Sequence, residues 1–347
     1  MDKKKLITSL VFIIIVGAVI ISLTVSKKSY AVGTTLVDTV KALNKGSSWS
    51  SGASGVYYTN SHEYRYIGAE VNNYVSFNND LYRIIGVFDN NSHGVSGTEM
   101  VKLIRARTLG GASWGVYNTD NSTGTYSGYA NDWTGKSKTS KANLNVLLNE
   151  YFYNKTETSS TYGDCANWTY YYSSNGNDYK TKDCSDIITY GIDSSLRGYI
   201  ENATWYLYGS GTDQSKQNWY LCERGGNSCT TSGTGAGDVS VTSKMGLMYL
   251  SDYLYASGYY SSTDTTNQET RYYGNKNWLY KGYEWTQTPY ASNAASVWHV
   301  TFGEASSNTA HVPYGWRPTF YLKSSVYVTG GNGSFDDPYT LGCDNCS

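Results

Sequence analysis

The sequence predicts an α+β fold, rich in antiparallel strands, behind an N-terminal transmembrane helix. Three observations predict this class: residues 6–25 form an uncharged apolar run, all six cysteines lie beyond it, and the 347-residue chain contains 36 Tyr, 36 Gly and 10 Trp with only 16% charged residues. Aromatic residues favour strands. Tyrosine and tryptophan also suit wet binding surfaces, because each joins an apolar ring to a polar group.

The N-terminal run has the properties of a membrane signal. As a helix, residues 6–25 would extend about 30 Å, the thickness of a bilayer core, and the lysines at 3–5 predict a cytoplasmic N-terminus. We expect an uncleaved signal anchor over residues 1–31; the alternative is a signal peptide cleaved near Ala31, with secretion. Either way, residues 32–347 are expected to be extracytoplasmic.

The six cysteines agree with this topology, because an even number in an exported domain predicts disulfides. The simplest pairing joins sequence neighbours: Cys165–Cys184, Cys222–Cys229 and Cys343–Cys346. The stretch CERGGNSC predicts a hairpin tip at Gly225, Gly226 and Asn227. A redox or zinc role for the last pair is the alternative, but no helix follows it and no second pair has metal spacing.

The chain divides into a membrane segment, a stalk, a body and a tail. The stalk is expected over residues 32–55, with a short amphipathic helix at 36–43 and a Gly/Ser-rich linker. The mixed α+β body is expected over 56–342. It contains a polar, disulfide-closed insert near 155–186, and a Cys-x-x-Cys tail follows at 343–347.

Alternation and turn residues place the elements of the body. Asn78, Asn79 and Asp80 predict a turn between two strands of an antiparallel meander. Pro318 fixes φ and predicts an edge position or the start of a strand. Strands are predicted within 63–70, 73–88, 100–107, 283–290, 296–303 and 312–328. Helices are predicted over 141–154 and 194–209, and a strand that runs into a helical turn over 241–258.

Charge and motifs exclude several function classes. Residues 32–347 hold 22 basic and 27 acidic residues with no long basic run, so no nucleic-acid partner is expected. The chain lacks a P-loop, G-x-S-x-G, G-x-G-x-x-G and H-E-x-x-H, so we predict no catalytic or metal-binding residues. A calcium loop would need a D-x-D-x-D-G ladder that GGNGSFDDPYT lacks, so no cofactor is expected.

The body contains, in order, NNYVSFNNDLYRIIGVF, VKLIRA, NDWTGK, NLNVLLN, GLMYLSDYLYA, WTQTPY, VWHVTFG and YGWRPTFYLKSSVYVTGGNGSFDDPYTL. This series, over roughly residues 56–342, resembles an uncharacterised family of exported surface proteins from gut Gram-positive-type bacteria. The resemblance implies a membrane signal and brings no known activity.

The late motifs WTQTP, VWHV and GWRP also resemble the end of C-type-lectin-like domains, including the sulfatase-modifying-factor type. Those enzymes need a cysteine pair in the late strands, and none lies between Cys229 and Cys343, so their catalysis is not carried over. What the resemblance implies is a scaffold that presents a ligand. The candidate ligand-binding residues are Trp285, Tyr290, Trp298, His299, Trp316 and Arg317.

Together these observations predict a bacterial cell-surface or secreted recognition protein, adhesin-like and not an enzyme. Its expected partner is a glycan or a surface protein, bound through a Tyr/Trp-rich face, because stacking on sugars and rigid protein contacts both use aromatic rings. One alternative is a glycan-active hydrolase, which needs two carboxylates across a cleft. The other is a structural wall or filament subunit.

Overall fold

The computed structural model describes most of the predicted stalk and body. The described residues are 33–50, 52–115, 132–135, 141–155, 158–159, 163–164, 170–172, 180–182, 184–226, 229, 239–258 and 276–346. The predicted anchor, the cleavage site near Ala31 and Cys165 lie outside them. Within these ranges, none of the helices has the length and apolar character needed to cross a bilayer.

The elements are numbered here along the chain. The strands are β1 Gly55–Tyr58, β2 Tyr64–Ile67, β3 Tyr74–Phe77, β4 Asp80–Phe88, β5 Met100–Arg105, β6 Gly111–Ser113, β7 Thr158–Ser159, β8 Gly163–Asp164, β9 Tyr170–Tyr172, β10 Lys180–Lys182, β11 Ala203–Tyr206, β12 Ser240–Ser243, β13 Glu284–Pro289, β14 Ser296–Thr301, β15 Glu304–Thr309, β16 Pro313–Gly315, β17 Thr319–Tyr321, β18 Tyr327–Gly330 and β19 Thr340–Gly342. The helices are α1 Leu36–Lys41, α2 Asn90–His93, α3 Asn143–Val146 with a π-helical continuation Leu147–Phe152, α4 Ser185–Thr189, a 3₁₀-helix Ser194–Tyr199, α5 Lys216–Glu223 and α6 Leu250–Tyr255.

The first large sheet is antiparallel and contains the predicted meander. Its strands follow the order β1-β2-β4-β5-β17, and β3 pairs with the first half of β4. Asn78 and Asn79 join β3 to β4 with φ of 58° and 54°. This is the left-handed geometry of a two-residue hairpin, which asparagine adopts at low cost. The predicted turn is therefore confirmed.

The second large sheet collects the late strands. Its order is β15-β14-β13-β16-β6, in which only β13 and β16 run parallel. The strand β6 was not predicted, because its three residues, Gly111–Ser113, are too few to show an alternation. Phe302 and Gly303 form the tip of the hairpin between β14 and β15.

Three residues carry the chain from one sheet to the other. Trp316, Arg317 and Pro318 lie between β16 of the second sheet and β17 of the first. The carbonyl of Trp316 accepts from Leu109 N at 3.1 Å, and that of Pro318 accepts from Arg105 N at 3.0 Å. The strand β17 starts directly after Pro318, as a residue without an N–H group predicts, and its outer side bonds to Gly246 through Thr319.

The helix predictions have mixed outcomes. The helix at 36–43 is confirmed as α1, and 241–258 is confirmed as β12 followed by α6. The helix at 141–154 is confirmed as α3 with its π-helical continuation. The helix at 194–209 is wrong beyond Tyr199. There, buried Ala203 and Trp205 alternate with half-buried neighbours, which is the period of a strand.

The hairpin tip predicted within CERGGNSC is also wrong. Cys222 lies in α5, which begins after Ser215, whose hydroxyl accepts from Asn218 N at 3.3 Å. Gly225 has φ 83°, and Gly226 N donates to Leu221 O at 2.8 Å, so the glycines close a helix and not a hairpin. The eight residues of α5 are too few for its hydrophobic periodicity to be recognised in the sequence.

One apolar core joins both large sheets. Its largest members are indole rings with less than 2% of their surface exposed: Trp114, Trp133, Trp205, Trp219, Trp285 and Trp316. Burial of aromatic rings gives a large apolar contribution per residue, and here it accounts for much of the tryptophan content. The fold is α+β and dominated by antiparallel strands.

Two of the predicted disulfides are present. Cys222 and Cys229 are bonded with their Cα atoms 5.0 Å apart, and Cys343 and Cys346 with theirs 5.6 Å apart. Both separations are ordinary for disulfides. The predicted Cys165–Cys184 bond involves Cys165, which lies outside the described residues.

Candidate functional site

A polar pocket of about 660 Å³ opens beside the first large sheet. We call it the amide pocket, because side-chain amides are frequent on its wall. Its principal lining residues are Asn60, His62, Asn91, Gln217, Tyr220 and Arg224. Side-chain amides, hydroxyls and a guanidinium both donate and accept hydrogen bonds, so this wall fits a ligand rich in polar groups.

Three short segments bring these residues together. Asn60 and His62 lie in the loop between β1 and β2, Asn91 lies in α2, and Gln217 and Tyr220 lie in α5. The α2 turn is capped by Asp89, whose carboxylate accepts from Asn91 N at 3.0 Å. Loops and helix ends at the margin of a rigid sheet are common positions for binding residues.

The loop and α5 are tied to each other across the pocket. Asn60 Nδ2 donates to Gln217 Oε1 at 2.9 Å, and Tyr255 OH donates to Asn60 Oδ1 at 2.5 Å. These two bonds fix the orientation of the Asn60 amide. His62 has a left-handed φ of 60°, a conformation that costs a non-glycine residue energy and that recurs at binding sites.

The inner wall is formed by Tyr220 and Arg224. The Arg224 side chain is 8% exposed, and its guanidinium carbon lies 3.8 Å from the centre of the Tyr220 ring. Its terminal nitrogens donate to Tyr220 O at 2.9 Å and to Ser92 Oγ at 3.0 Å. Its Nε has no hydrogen-bond partner in the described part of the chain. Since a guanidinium has five N–H groups, donors remain for a ligand.

A buried charge network lies behind this wall. It consists of three cationic and three acidic side chains, each no more than 8% exposed: Glu63, Arg65, Lys102, Glu223, Arg224 and Asp252. Asp252 accepts from Arg65 at 2.9 Å and from Lys102 at 2.6 Å. Ser92 contacts both Glu63 and Arg224, and so connects the network to the pocket wall.

The pKa values in this network reflect both burial and the attraction between opposite charges. Burial lowers the pKa of Lys102, although Asp252 opposes the shift. Burial alone would raise the pKa of Asp252, but Lys102 and Arg65 outweigh it, so that pKa is lowered. For Arg224, burial is likewise outweighed by Tyr220, Glu63 and Glu223, and the pKa is raised. The pocket wall therefore carries a permanent positive charge.

Glu223 differs from Asp252 in the direction of its pKa shift. Burial raises the pKa of its carboxyl group. Its oxygens accept from Ser251 Oγ at 2.5 Å and Thr288 Oγ1 at 2.6 Å. The Glu223 carboxyl also accepts from Ser251 N at 3.2 Å, and its nearest cation in the network, Arg224, is 3.8 Å away. A buried carboxyl without a close ion pair is easier to protonate than an ion-paired one.

A second cleft, of about 530 Å³, differs in its electrostatics. It is lined by charged residues that pair with one another: Arg105 with Asp80 at 2.5 Å, and Lys155 with Asp193 at 2.5 Å. Arg107 and Asp186 also line this cleft, so its wall is mainly ionic, whereas the wall of the amide pocket consists mainly of amides and hydroxyls.

The six residues predicted to bind a ligand lie in or beside the second large sheet. Trp285, Trp298, His299, Trp316 and Arg317 are each at most 5% exposed, and Tyr290 is half-buried. The structure brings two groups together. The Trp285 ring lies 5.6 Å from His299, and the Tyr290 ring lies 5.4 Å from Trp298.

Interior partners occupy polar atoms of three of these residues, whereas His299 Nδ1 and Trp316 Nε1 have no hydrogen-bond partner among the described residues. Trp285 Nε1 donates to Ala112 O at 2.9 Å, and Trp298 Nε1 donates to Ser210 O at 2.9 Å. Arg317 forms a bidentate pair with Glu284 at 2.6 and 2.8 Å. None of the six lines the amide pocket, and their role in binding stays a prediction.

Sequence reasoning missed the lining of the amide pocket. Asn60 and Asn91 stand in Asn/Ser-rich stretches that look like many others in this chain. Arg224 stands within CERGGNSC, where a hairpin tip was predicted, and Tyr220 stands in a stretch for which no element was predicted. The available signal was Ser215, an N-cap residue type, ahead of the buried pair Trp219 and Tyr220.

No group of three or more His, Cys, Asp or Glu side chains in the described ranges is arranged to hold a metal ion. No family model, no curated protein and no solved structure matches this chain.

Proposed function

We propose that this protein is an extracytoplasmic recognition protein whose amide pocket binds a saccharide. The observation that carries the proposal is the composition of the pocket: amides, a tyrosine ring and a buried guanidinium converge on about 660 Å³. Hydroxyl groups of a sugar both donate and accept hydrogen bonds, which amides match. The Tyr220 side chain, 5% exposed and stacked under Arg224, completes the wall.

The pocket supports binding over hydrolysis. A glycosidase carries two carboxylates on either side of the scissile bond, whereas the described lining of the amide pocket contains amides, hydroxyls, a histidine and a guanidinium. Glu63 and Glu223 are fully buried behind the wall, and the carboxylate of Asp89 accepts from the backbone and side-chain amides of Asn91. Catalysis of glycan cleavage is the alternative function that the experiment below also detects.

The proposal includes a membrane anchor at residues 6–25 and an outward-facing body. Its support is the uncharged run after three lysines, together with the disulfides at Cys222–Cys229 and Cys343–Cys346, which suit an oxidising compartment. We also propose a C-type-lectin-like arrangement for the late strands. In its support, the strands β13, β14 and β16, which carry or adjoin the three motifs, belong to one sheet.

The test is a glycan array probed with the full chain in detergent micelles. We expect Gln217→Ala to lower affinity by about tenfold, the value of one polar contact, because Gln217 is exposed and its loss disturbs no core contact. Asn72→Ala is the matched control, since Asn72 is an exposed amide outside the pocket.

Two outcomes would contradict the proposal. Binding that Gln217→Ala and Asn72→Ala leave equally unchanged would place the saccharide elsewhere. Shortened products after incubation of a bound glycan with the protein would identify a hydrolase.

A further inference from the structure

The strand β15 ends the second large sheet with an open long side. It pairs with β14 over six consecutive residues without a bulge, and no strand in the described ranges pairs with its other side. Its sequence, EASSNT, has one charged residue and neither lysine nor proline. Natural edge strands usually carry a lysine, a proline or a bulge to prevent pairing with another chain, and β15 has none of these three.

The hydrogen bonds of β15 show which of its backbone groups are open. The two-residue tip at Phe302 and Gly303 makes Thr301 and Glu304 a hydrogen-bonded pair, so alternate residues from Glu304 face β14. Ala310 N donates to Ala295 O at 2.8 Å and follows the same alternation. Ala305, Ser307 and Thr309 therefore point their N–H and C=O groups away from the sheet.

Thr309 already uses its outward groups. Its N–H donates to Asn308 Oδ1 at 2.8 Å, and its carbonyl accepts from Val312 N at 3.1 Å. Among the described residues of β15, this leaves the outward groups of Ala305 and Ser307 open to the described part of the chain. In an antiparallel pair, two outward-facing residues that oppose each other exchange both bonds. A second β15 satisfies both residues at once in one register, in which Ala305 of each copy opposes Ser307 of the other.

This register is self-complementary. It places Ser306 on the two-fold axis and brings Glu304 opposite Asn308, which is an acid against an amide. The two Glu304 residues are four positions apart, about 14 Å along the strand, which is beyond the screening length of roughly 8 Å at physiological salt. No like charges meet.

The hairpin tip provides an apolar contact for the same arrangement. Phe302 is 74% exposed and has a left-handed φ of 44°, a conformation that is strained for a bulky residue. Tyr283 packs edge-on against it with ring centres 5.1 Å apart. In the register above, Phe302 opposes Ala310 of the second copy, beside the half-buried Val312. The contact occurs twice by symmetry.

We propose that the protein forms a two-fold dimer through antiparallel pairing of β15, with Phe302 of each copy packed on the 310–312 turn of the other. The occupant of the edge is a second copy of this chain. The two five-stranded sheets become one continuous sheet across the interface, a size that twisted sheets reach. The dimer is independent of the saccharide site, because β15 and the amide pocket share no residue.

The first test uses a single cysteine on the axis. In the proposed dimer the two Ser306 residues form a non-hydrogen-bonded pair with Cα atoms about 4.5 Å apart, within reach of a disulfide. We expect full-chain Ser306→Cys in detergent micelles to give a reductant-sensitive dimer on a gel, at twice 38.4 kDa. Thr242→Cys, on the exposed position of β12, is the matched control and should stay monomeric.

The second test separates pairing from folding. Ser307→Pro removes an outward N–H group but no bond to β14, so we expect a folded monomer with unchanged circular dichroism. Phe302→Asn relieves the strained φ and should raise the melting temperature while weakening the dimer. A monomeric Ser306→Cys chain, crosslinking of that cysteine to a different protein, or a Ser307→Pro chain that still dimerises would each overturn the proposal.

Discussion

At the scale of single residues, His299 shows how the core sets a charge state. The imidazole stacks on Tyr314 with ring centres 4.6 Å apart, and its Nδ1 has no hydrogen-bond partner among the described residues. Burial lowers the pKa of His299 to about 4. The folded protein therefore keeps this ring neutral at pH values where an unfolded chain, with a histidine pKa of about 6.5, already binds a proton.

This difference predicts acid sensitivity. The stabilising effect of the neutral ring is complete above pH about 6.5 and is lost as pH falls to about 4, because the unfolded state then binds more protons. His299→Phe keeps the stacking and removes the titration. Between these pH values, the free energy of unfolding should fall by up to about 3 kcal/mol more in the parent than in the variant. Urea unfolding measures both. Parallel pH profiles would contradict the assignment.

Individual aromatic residues also show the limit of prediction from composition. The tyrosine and tryptophan content predicted an aromatic binding face, but Trp285 and Trp298 direct their N–H groups to backbone carbonyls inside the protein. A ring with a polar atom satisfies a core as well as a surface. Whether such a ring lies in the core or on the surface depends on contacts distant in sequence, such as that of Trp285 with Ala112.

At the scale of elements, β5 and α6 are joined by the ion pair of Lys102 and Asp252. Both side chains have no exposed surface, and the Lys102 ammonium lies 4.5 Å from the centre of the Tyr249 ring. Asp252 serves two cations, because Arg65 also binds it. The two partners are therefore not equivalent.

Removal of Lys102 and removal of Asp252 should lower the free energy of unfolding by different amounts. Lys102→Met leaves Asp252 paired with Arg65, whereas Asp252→Asn leaves Lys102 without its carboxylate in a buried site. We expect Asp252→Asn to cost about 3–5 kcal/mol, the usual range for an orphaned buried charge, and Lys102→Met to cost less. Guanidinium chloride unfolding of both variants measures the difference. The reverse order would show that Arg65 does not compensate Asp252.

The helix α5 carries Gln217 and Tyr220 of the amide pocket, and a disulfide fixes its end. Cys222 is fully buried in the helix and is bonded to Cys229. A loop of this length predicts a stabilisation of about 2 kcal/mol. Cys222→Ser/Cys229→Ser should lose this amount in thermal unfolding and should also weaken saccharide binding. Cys343→Ser/Cys346→Ser is the control, because that bond is remote in sequence from α5, and unchanged binding is expected.

Local signals predicted the elements of the fold better than they predicted the site. The turn at Asn78 and Asn79 and the strand start after Pro318 follow from backbone preferences of those residues, which act over neighbouring positions. The amide pocket joins Asn60 to Gln217 across 157 positions. Such a contact depends on the packing of α5 against α6 and the second sheet, where the rings of Trp219 and Trp298 lie 5.0 Å apart. The short helix itself gave no periodic pattern.

At the scale of the whole molecule, the crossing at Trp316–Pro318 makes the two large sheets one unit. Arg317 is 2% exposed and pairs with Glu284 at the start of β13, and it also donates to Leu279 O at 2.7 Å. The residues on either side of it bond to the first sheet and its continuation, at Arg105 and Leu109. The ion pair therefore lies in the segment Trp316–Pro318, which connects the two sheets.

A substitution at this position should affect both sheets together. Arg317→Met leaves the Glu284 carboxyl buried without its cation, and we expect a loss of about 3–5 kcal/mol. Hydrogen exchange followed by mass spectrometry should then show an equal loss of protection in β5 and β14, because one cooperative unit opens as a whole. Arg317→Met/Glu284→Gln should recover part of the stability. Loss of protection in β14 alone would mean that the sheets open separately and that the crossing segment does not couple them.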